Sequence, residues 1–195
     1  MISAIVLAAG RSDRMGRPKQ LLPWDGSTVI AHICDVLLNS PIGEVIVVLG
    51  HQSDRVKRAL PRGVKVVTLP DASAPMIASI QAGIRAAVSD VRGYMIVLGD
   101  QPGITVDLVQ RLVYNFWPGP KRIIIPAHRG KRGHPVIIHA QFRDELLAIP
   151  ETGTLRDVIH AHLDDFRHVE ITDPAALADI DTEEDYARVT GTAPS

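Results

Sequence analysis

Ile2-Ser3-Ala4-Ile5-Val6-Leu7-Ala8-Ala9-Gly10-Arg11-Ser12-Asp13-Arg14-Met15-Gly16-Arg17-Pro18-Lys19 joins a short apolar run to a loop of small and cationic residues. The run from Ile2 to Leu7 is brief and apolar almost throughout, the pattern of a strand buried on both faces. It empties into Ala8, Ala9 and Gly10, which let a phosphate approach the backbone closely. Gly10 and Gly16 accept positive φ, so successive N–H groups can turn inward into an anion-binding concavity. Arg11, Arg14, Arg17 and Lys19 add positive charge. In open α/β sheets ligands bind at the carboxyl ends of strands, so this loop is placed to hold a triphosphate. It is not a Walker loop, because the Gly-Lys-Ser/Thr pair is missing, and no G-x-G-x-x-G fingerprint occurs.

Outward from this loop, strand and helix patterns alternate. Ser27-Thr28 caps a helix carrying Val29, Ile30, Ile33, Val36 and Leu37 at helical spacing. Strands are predicted over 44–49, 64–69 and 94–98, with a short charged helix over 53–60 and an apolar-faced helix over 76–88 between them. Thr105 caps a helix through Phe116, strands follow at 122–125 and 135–138, and helices near 140–148 and 154–162. A strand near 166–171 leads to Ile180-Asp181, where Thr182 and Asp185 form a capping box for the last helix. The resulting expectation is an α/β protein with a mainly parallel sheet covered on both faces. An antiparallel strand is expected at 135–138, because a loop rather than a helix precedes it.

At 195 residues the chain fits a single domain over 1–195, large enough for a core without disulfides. Its formal net charge of −1 gives no global attraction to nucleic acid or anionic membranes, so any cationic function is local. The single cysteine, Cys34, falls in an apolar helical pattern and reads as a packing residue. The N-terminus enters the first strand without a basic leader, and no run approaches the roughly 18 apolar residues of a membrane span. A cytoplasmic protein is expected. Zinc is not, since His160 and His162 point to different helix faces and there is no Cys cluster.

Arg14, Lys19 and the backbone of residues 9–16 are the candidates for contacting a pyrophosphate leaving group. Arg11 and Arg17 read equally as phosphate ligands or solvated loop charge. Asp100 follows an apolar strand and can project a hard oxygen ligand for magnesium into the strand-end crevice; a helix cap or turn is its structural alternative. The segment His128-Arg129-Gly130-Lys131-Arg132-Gly133-His134-Pro135 is a second concentration of cations. It reads as an acceptor-binding loop through Arg132, Gly133, His134 and Pro135, or as a solvated basic hairpin.

These residues resemble a known family. The Leu7-to-Lys19 segment is similar to the Leu-x-x-Gly-x-Ser-x-Arg-Met-Gly-x-x-Lys signature of nucleotidyltransferases that activate molybdopterin, sugars and related phosphates. Pro18-Lys19-Gln20-Leu21-Leu22-Pro23-Trp24, Leu98-Gly99-Asp100-Gln101-Pro102, Arg132-Gly133-His134-Pro135-Val136 and Asp179-Ile180-Asp181-Thr182 resemble, in order, the molybdenum cofactor cytidylyltransferase branch. The resemblance implies a three-layer, Rossmann-like nucleotidyltransferase fold. It implies nucleotide contacts from Leu7, Ala8, Ala9, Gly10, Arg11, Ser12, Arg14, Met15, Gly16, Lys19, Leu69, Pro70, Ser79 and Asp100, with Arg14, Lys19 and Asp100 catalytic. Asp181 would be the second metal ligand beside Asp100, with a cap as its alternative role and Asp179 as the alternative register. The ion would be magnesium, or manganese.

The implied reaction transfers CMP from CTP to the terminal phosphate of molybdenum-loaded molybdopterin, with a molybdoenzyme as transient partner and no nucleic acid or membrane involved. CTP rather than GTP follows from Ala9, where similar guanylyltransferases have a second glycine. Two departures bear on the pockets: Pro75-Met76 replaces a usual Gly-Met, and Gly153-Thr154-Leu155-Arg156, with Glu151 before it, replaces a usual Gly-Ala-Arg. Transfer to a sugar phosphate, use of GTP, and a non-catalytic cofactor chaperone are the competing readings.

Overall fold

The computed structural model describes residues 1–10, 15–50, 53–71, 73–117 and 119–191. Three of the expected phosphate contacts, Arg11, Ser12 and Arg14, lie outside the described residues.

β1 (Ile2–Ala8) leads past the first loop to a hairpin of β2 (Pro23–Trp24) and β3 (Ser27–Thr28), then α1 (Val29–Leu38). There follow β4 (Glu44–Leu49), α2 (Ser53–Ala59), β5 (Val64–Thr68), α3 (Met76–Ala86), β6 (Gly93–Leu98) and α4 (Val106–Phe116). The second half carries β7 (Ile123–His128), β8 (Lys131–Arg132), β9 (Val136–His139), α5 (Arg143–Ala148), α6 (Leu155–Ala161), β10 (Phe166–Glu170) and α7 (Glu183–Thr190). The main sheet runs β10-β7-β9-β6-β1-β4-β5, with β8 paired to β7. Among the described residues, β9 runs antiparallel to β6 and β7, β8 runs antiparallel to β7, and the other pairings of this sheet are parallel.

The strands are apolar on both faces because helices cover both. In β1, Ile2, Ala4, Val6 and Ala8 face one core with α1 and α4, while Ile5 faces a second core with α3. The same two-residue alternation splits β4 and β6 between these cores, giving three layers with the sheet in the middle. This is the expected three-layer, mainly parallel α/β architecture. Cys34 is fully buried in the first core, and burial pushes its thiol up to about 12, which makes it an inert packing group.

Local departures have local causes. The helix expected over 76–88 stops at Ala86, because Ala87 turns to extended ψ and the Val88 amide donates to Glu44 Oε1 at 2.9 Å. Ser3 Oγ donates to the same carboxylate oxygen at 2.6 Å, pinning this exit to β1. Near 140 the chain first makes a 3-10 turn, Ala140–Phe142, before α5. The β2–β3 hairpin turns on Asp25 and Gly26, both with positive φ. The basic segment after β7 forms a hairpin whose turn, Arg129 and Gly130, also has positive φ.

Candidate active site

Parallel registry gathers the site. β1 pairs with β4 through Ala8 and Leu49, and with β6 through Leu7 and Leu98, so three strands end together. The chain leaves β4 and β6 through Gly50 and Gly99. A Cβ on Gly50 would lie 2.9 Å from the Ala9 carbonyl oxygen, and one on Gly99 would lie 2.8 Å from that of Leu7. Both glycines therefore let the strand exits close on Ala8 and Ala9. Gly10 is exposed and a Cβ on it would meet no described atom within 4 Å, Gly16 has φ +61, and Met15 returns to the core at 8% exposure. These are the features a phosphate cradle needs on either side of residues 11–14.

Lys19 projects from a short 3-10 turn, Lys19–Leu21, anchored by the buried Gln20 and Leu22. Its ammonium donates to Asp181 and, at 3.4 Å, to Asp100 Oδ2. Asp100 stands two residues beyond β6. Asp181 arrives from the other end of the chain, on a strap that opens with the 3-10 turn Pro174–Leu177 and runs extended to α7. The strap is held in four ways. Ile180 is fully buried and its amide donates to the Asp100 carbonyl at 3.0 Å. The side-chain amide of Gln101, itself buried, donates to Asp179 and to the Leu177 carbonyl. A Cβ on Gly103 would lie 2.2 Å from the Ala175 carbonyl oxygen, and one on Gly133 would lie 2.6 Å from Leu177 Cδ2. The strap thus lies directly on backbone at both points.

The two strap aspartates take different partners. Asp179 is bound by Gln101, whereas Asp181 shares Lys19 with Asp100. Thr182 and Asp185 form the expected capping box, with the Asp181 and Thr182 amides donating to Asp185 Oδ2 at 3.2 and 3.0 Å. Burial pushes the Asp100 carboxyl above the usual carboxylate range; Lys19 opposes this, and Asp179 and Asp181 add to it.

Arg17 makes a bidentate ion pair with Glu183 in the first turn of α7, and Tyr186 Oη donates to the Pro23 carbonyl at 2.6 Å. Here Arg17 ties the first loop to the last helix through this exposed pair. Sequence reasoning missed this pairing, and also Gln101 as the group that seats the strap.

The expected base and acceptor residues lie on either side. Leu69 is half-buried with its amide on the Leu49 carbonyl at 2.8 Å, Pro70 is exposed, and Ser79 is buried on the sheet-facing side of α3, one turn from Gly83. Arg132 lies over the Phe166 ring at 4.7 Å. His134 is half-buried, and burial holds its imidazole below the usual range, opposed by Asp179 and assisted by Arg156. A cleft of about 640 Å³ opens between the β7–β8 hairpin, the strap and α7, lined by His128, Lys131, Asp179, Asp181 and Arg188 among others. Lys131 and Arg188 bring positive charge to it, the His128 imidazole sits against the Ile171 carbonyl at 2.9 Å, and Gly133 supports the cleft wall through Leu177.

Among the described residues no group of three or more His, Cys, Asp or Glu side chains could hold a metal ion. Asp100 and Asp181 nevertheless converge on one cation, the Lys19 ammonium. Two hard carboxylates of this kind suit an ion that completes its shell with phosphate oxygens and water.

Residues 4–166 match the family described as the MobA-like NTP transferase domain. Asp179 and Asp181 lie beyond the matched stretch. The chain is 25% identical to the molybdenum cofactor cytidylyltransferase of Escherichia coli (strain K12) over 190 residues, covering 95% of this chain and 93% of that protein. It is 35% identical to the nicotine blue oxidoreductase of Paenarthrobacter nicotinovorans over 151 residues, 73% of this chain and 72% of that one. The crystal structure of Rv0371c from Mycobacterium tuberculosis H37Rv superposes with a TM-score of 0.88 at 27% identity, covering 99% of this chain and 100% of the other. A manganese complex of Rv0371c superposes at 0.83, with 26% identity over 98% and 99% of the two chains. The fold is one that these solved structures share over nearly the whole chain, and the chain belongs to the MobA-like NTP transferase family as a nucleotidyltransferase related to the molybdenum cofactor cytidylyltransferases.

Proposed function

We propose that this chain transfers CMP from CTP to the terminal phosphate of molybdenum-loaded molybdopterin, releasing pyrophosphate. The observation that carries the reading is the convergence of Asp100 and Asp181 on the Lys19 ammonium, at the mouth of the β1 loop. Asp100 and Asp181 would hold magnesium or manganese, which would neutralise charge on the reacting phosphates when bound. The manganese complex of Rv0371c supports such an ion, and the Escherichia coli relative supports the molybdopterin acceptor and cytidine.

The chain's own residues supply positioning and charge. Gly10 and Gly16 would let the backbone turn N–H groups toward phosphate, with Arg14 and Lys19 taking the charge that builds on pyrophosphate as it leaves. Leu69, Pro70 and Ser79 flank the base and ribose. A phosphate acceptor is already ionised at neutral pH, so the site needs no general base. The cleft beside Asp181 has the volume of an ordinary small-molecule site and presents His128, Lys131 and Arg188 to an anionic acceptor. Arg132, His134 and Pro135 border this region from the hairpin. Among the described residues no helix is long and apolar enough to cross a membrane. The proposed enzyme would work in the cytoplasm and deliver its product to a molybdoenzyme.

The test is product identification by mass spectrometry after incubation with each of the four nucleoside triphosphates and molybdenum-loaded molybdopterin. A cytosine dinucleotide form of the cofactor is expected with CTP alone. The likeness to nicotine blue oxidoreductase carries a second reading, a redox use of the same nucleotide cleft. Oxidised or reduced substrate without any dinucleotide product would favour it.

A further inference from the structure

Lys19 occupies an unusual place for a residue read as a phosphate ligand. Its backbone is fixed: the Leu21 amide donates to Pro18 at 3.0 Å, the Leu22 amide donates to Lys19 at 3.1 Å, and the flanking Gln20 and Leu22 are buried. Its side chain, only 13% exposed, turns to the carboxylates rather than toward solvent. Asp100 Oδ2 and Asp181 Oδ1, brought together by the Ile180 amide on the Asp100 carbonyl, would repel each other if no cation lay between them. The ammonium is that cation.

A divalent ion that used these same oxygens would have to displace the ammonium, because two cations cannot share the pair without strong repulsion. The four-carbon stem of lysine lets the charge move while the backbone stays in place. A triphosphate supplies what the displaced ammonium needs, namely anionic oxygens at the mouth of the β1 loop. We propose that Lys19 is an internal counter-cation that occupies the metal position between Asp100 and Asp181 until a nucleoside triphosphate draws its ammonium away, so that metal and nucleotide bind cooperatively. This rests on the reading that the pair holds the metal. Its consequence is a site that takes up little free metal on its own and assembles its cation together with the substrate. By reciprocity, metal raises nucleotide affinity by the same factor.

The experiment is a titration of the full-length chain with Mn²⁺ in the absence of nucleotide, following free Mn²⁺ by electron paramagnetic resonance. Lys19→Met and Lys19→Gln are compared with wild type, the glutamine variant keeping a polar group should methionine disturb the fold. Arg17→Met, which removes a nearby cation paired to Glu183 instead, is the control for overall charge. Both Lys19 variants are expected to bind Mn²⁺ about tenfold more tightly than wild type, with Arg17→Met within about twofold. Adding Asp100→Ala to a Lys19 variant should abolish the gain. Equal affinity in wild type and both Lys19 variants would overturn the counter-cation role; if Asp100→Ala still removed the Mn²⁺, the metal pair itself would stand. Tight Mn²⁺ binding that survived both Asp100→Ala and Asp181→Ala would overturn the metal assignment and the proposal together.

Discussion

The amide of Ile180 donates to the carbonyl oxygen of Asp100 at 3.0 Å, joining the end of β6 to a strap near the C-terminus. Together with the Gln101 contacts, it sets the two flanking strap residues, Asp179 and Asp181, beside the strand-end crevice while Ile180 fills the core. Much of the site's organisation follows from it.

The two strap aspartates are separable by mutation. Asp181→Ala should lower kcat for nucleotidyl transfer by about 100-fold or more, the scale of losing one charge-stabilising group in a transition state. Asp179→Ala removes the Gln101 contact and a negative charge near Asp100 and His134, but no partner of Lys19 shown here, and should cost less than about tenfold. Steady-state kinetics on both variants checks the order.

Gly103→Ala places a methyl group where the Ala175 carbonyl oxygen lies 2.2 Å away. Backbone cannot yield as a side-chain tip can, so the strap must move. A stability loss of about 1–3 kcal/mol by chemical denaturation is expected, together with reduced activity because Asp181 moves with the strap.

Asp100 is held in an environment that favours its protonated form, chiefly through burial. A carboxyl raised in the folded state contributes stability below its unfolded value of 3.8, and that contribution is lost as pH rises through the folded value. Once ionised, the side chain therefore costs stability. Without divalent metal, Asp100→Asn should raise the melting temperature at pH 7 by about 2 °C while abolishing turnover, and the difference should shrink toward acid pH.

His134 works in the other direction on the pH scale. Burial holds the imidazole below its usual 6.5, so the folded state prefers it neutral. The unfolded chain binds the proton first, and stability present above pH 6.5 is lost as pH falls toward the folded value. Thermal melts between about pH 7.5 and pH 5 should show a shallower decline for His134→Gln than for wild type.

The sheet was legible in the sequence because its strands are buried on both faces, so Ile2–Leu7, Glu44–Leu49 and Tyr94–Leu98 stand out as apolar runs ending in small residues. The position of Asp100 followed from the same signal. Other features depend on partners distant in sequence. Arg17 reads as a loop cation until Glu183 is seen opposite it, and nothing local marks Gln101 as the support of Asp179. The end of α3 was misplaced because Val88 continues the apolar spacing, whereas the Glu44 carboxylate captures its amide. The β2–β3 turn did have a local sign, Asp25-Gly26, a pair suited to a tight hairpin.

The most direct test of nucleotidyl transfer is the rate of pyrophosphate release from CTP with molybdenum-loaded molybdopterin and magnesium, measured for wild type, Asp100→Ala and Asp181→Ala. Release that needs the acceptor and falls by about 100-fold or more in each variant is the predicted result. Release at the wild-type rate in both variants, or none from a folded wild-type protein that binds CTP, would contradict it.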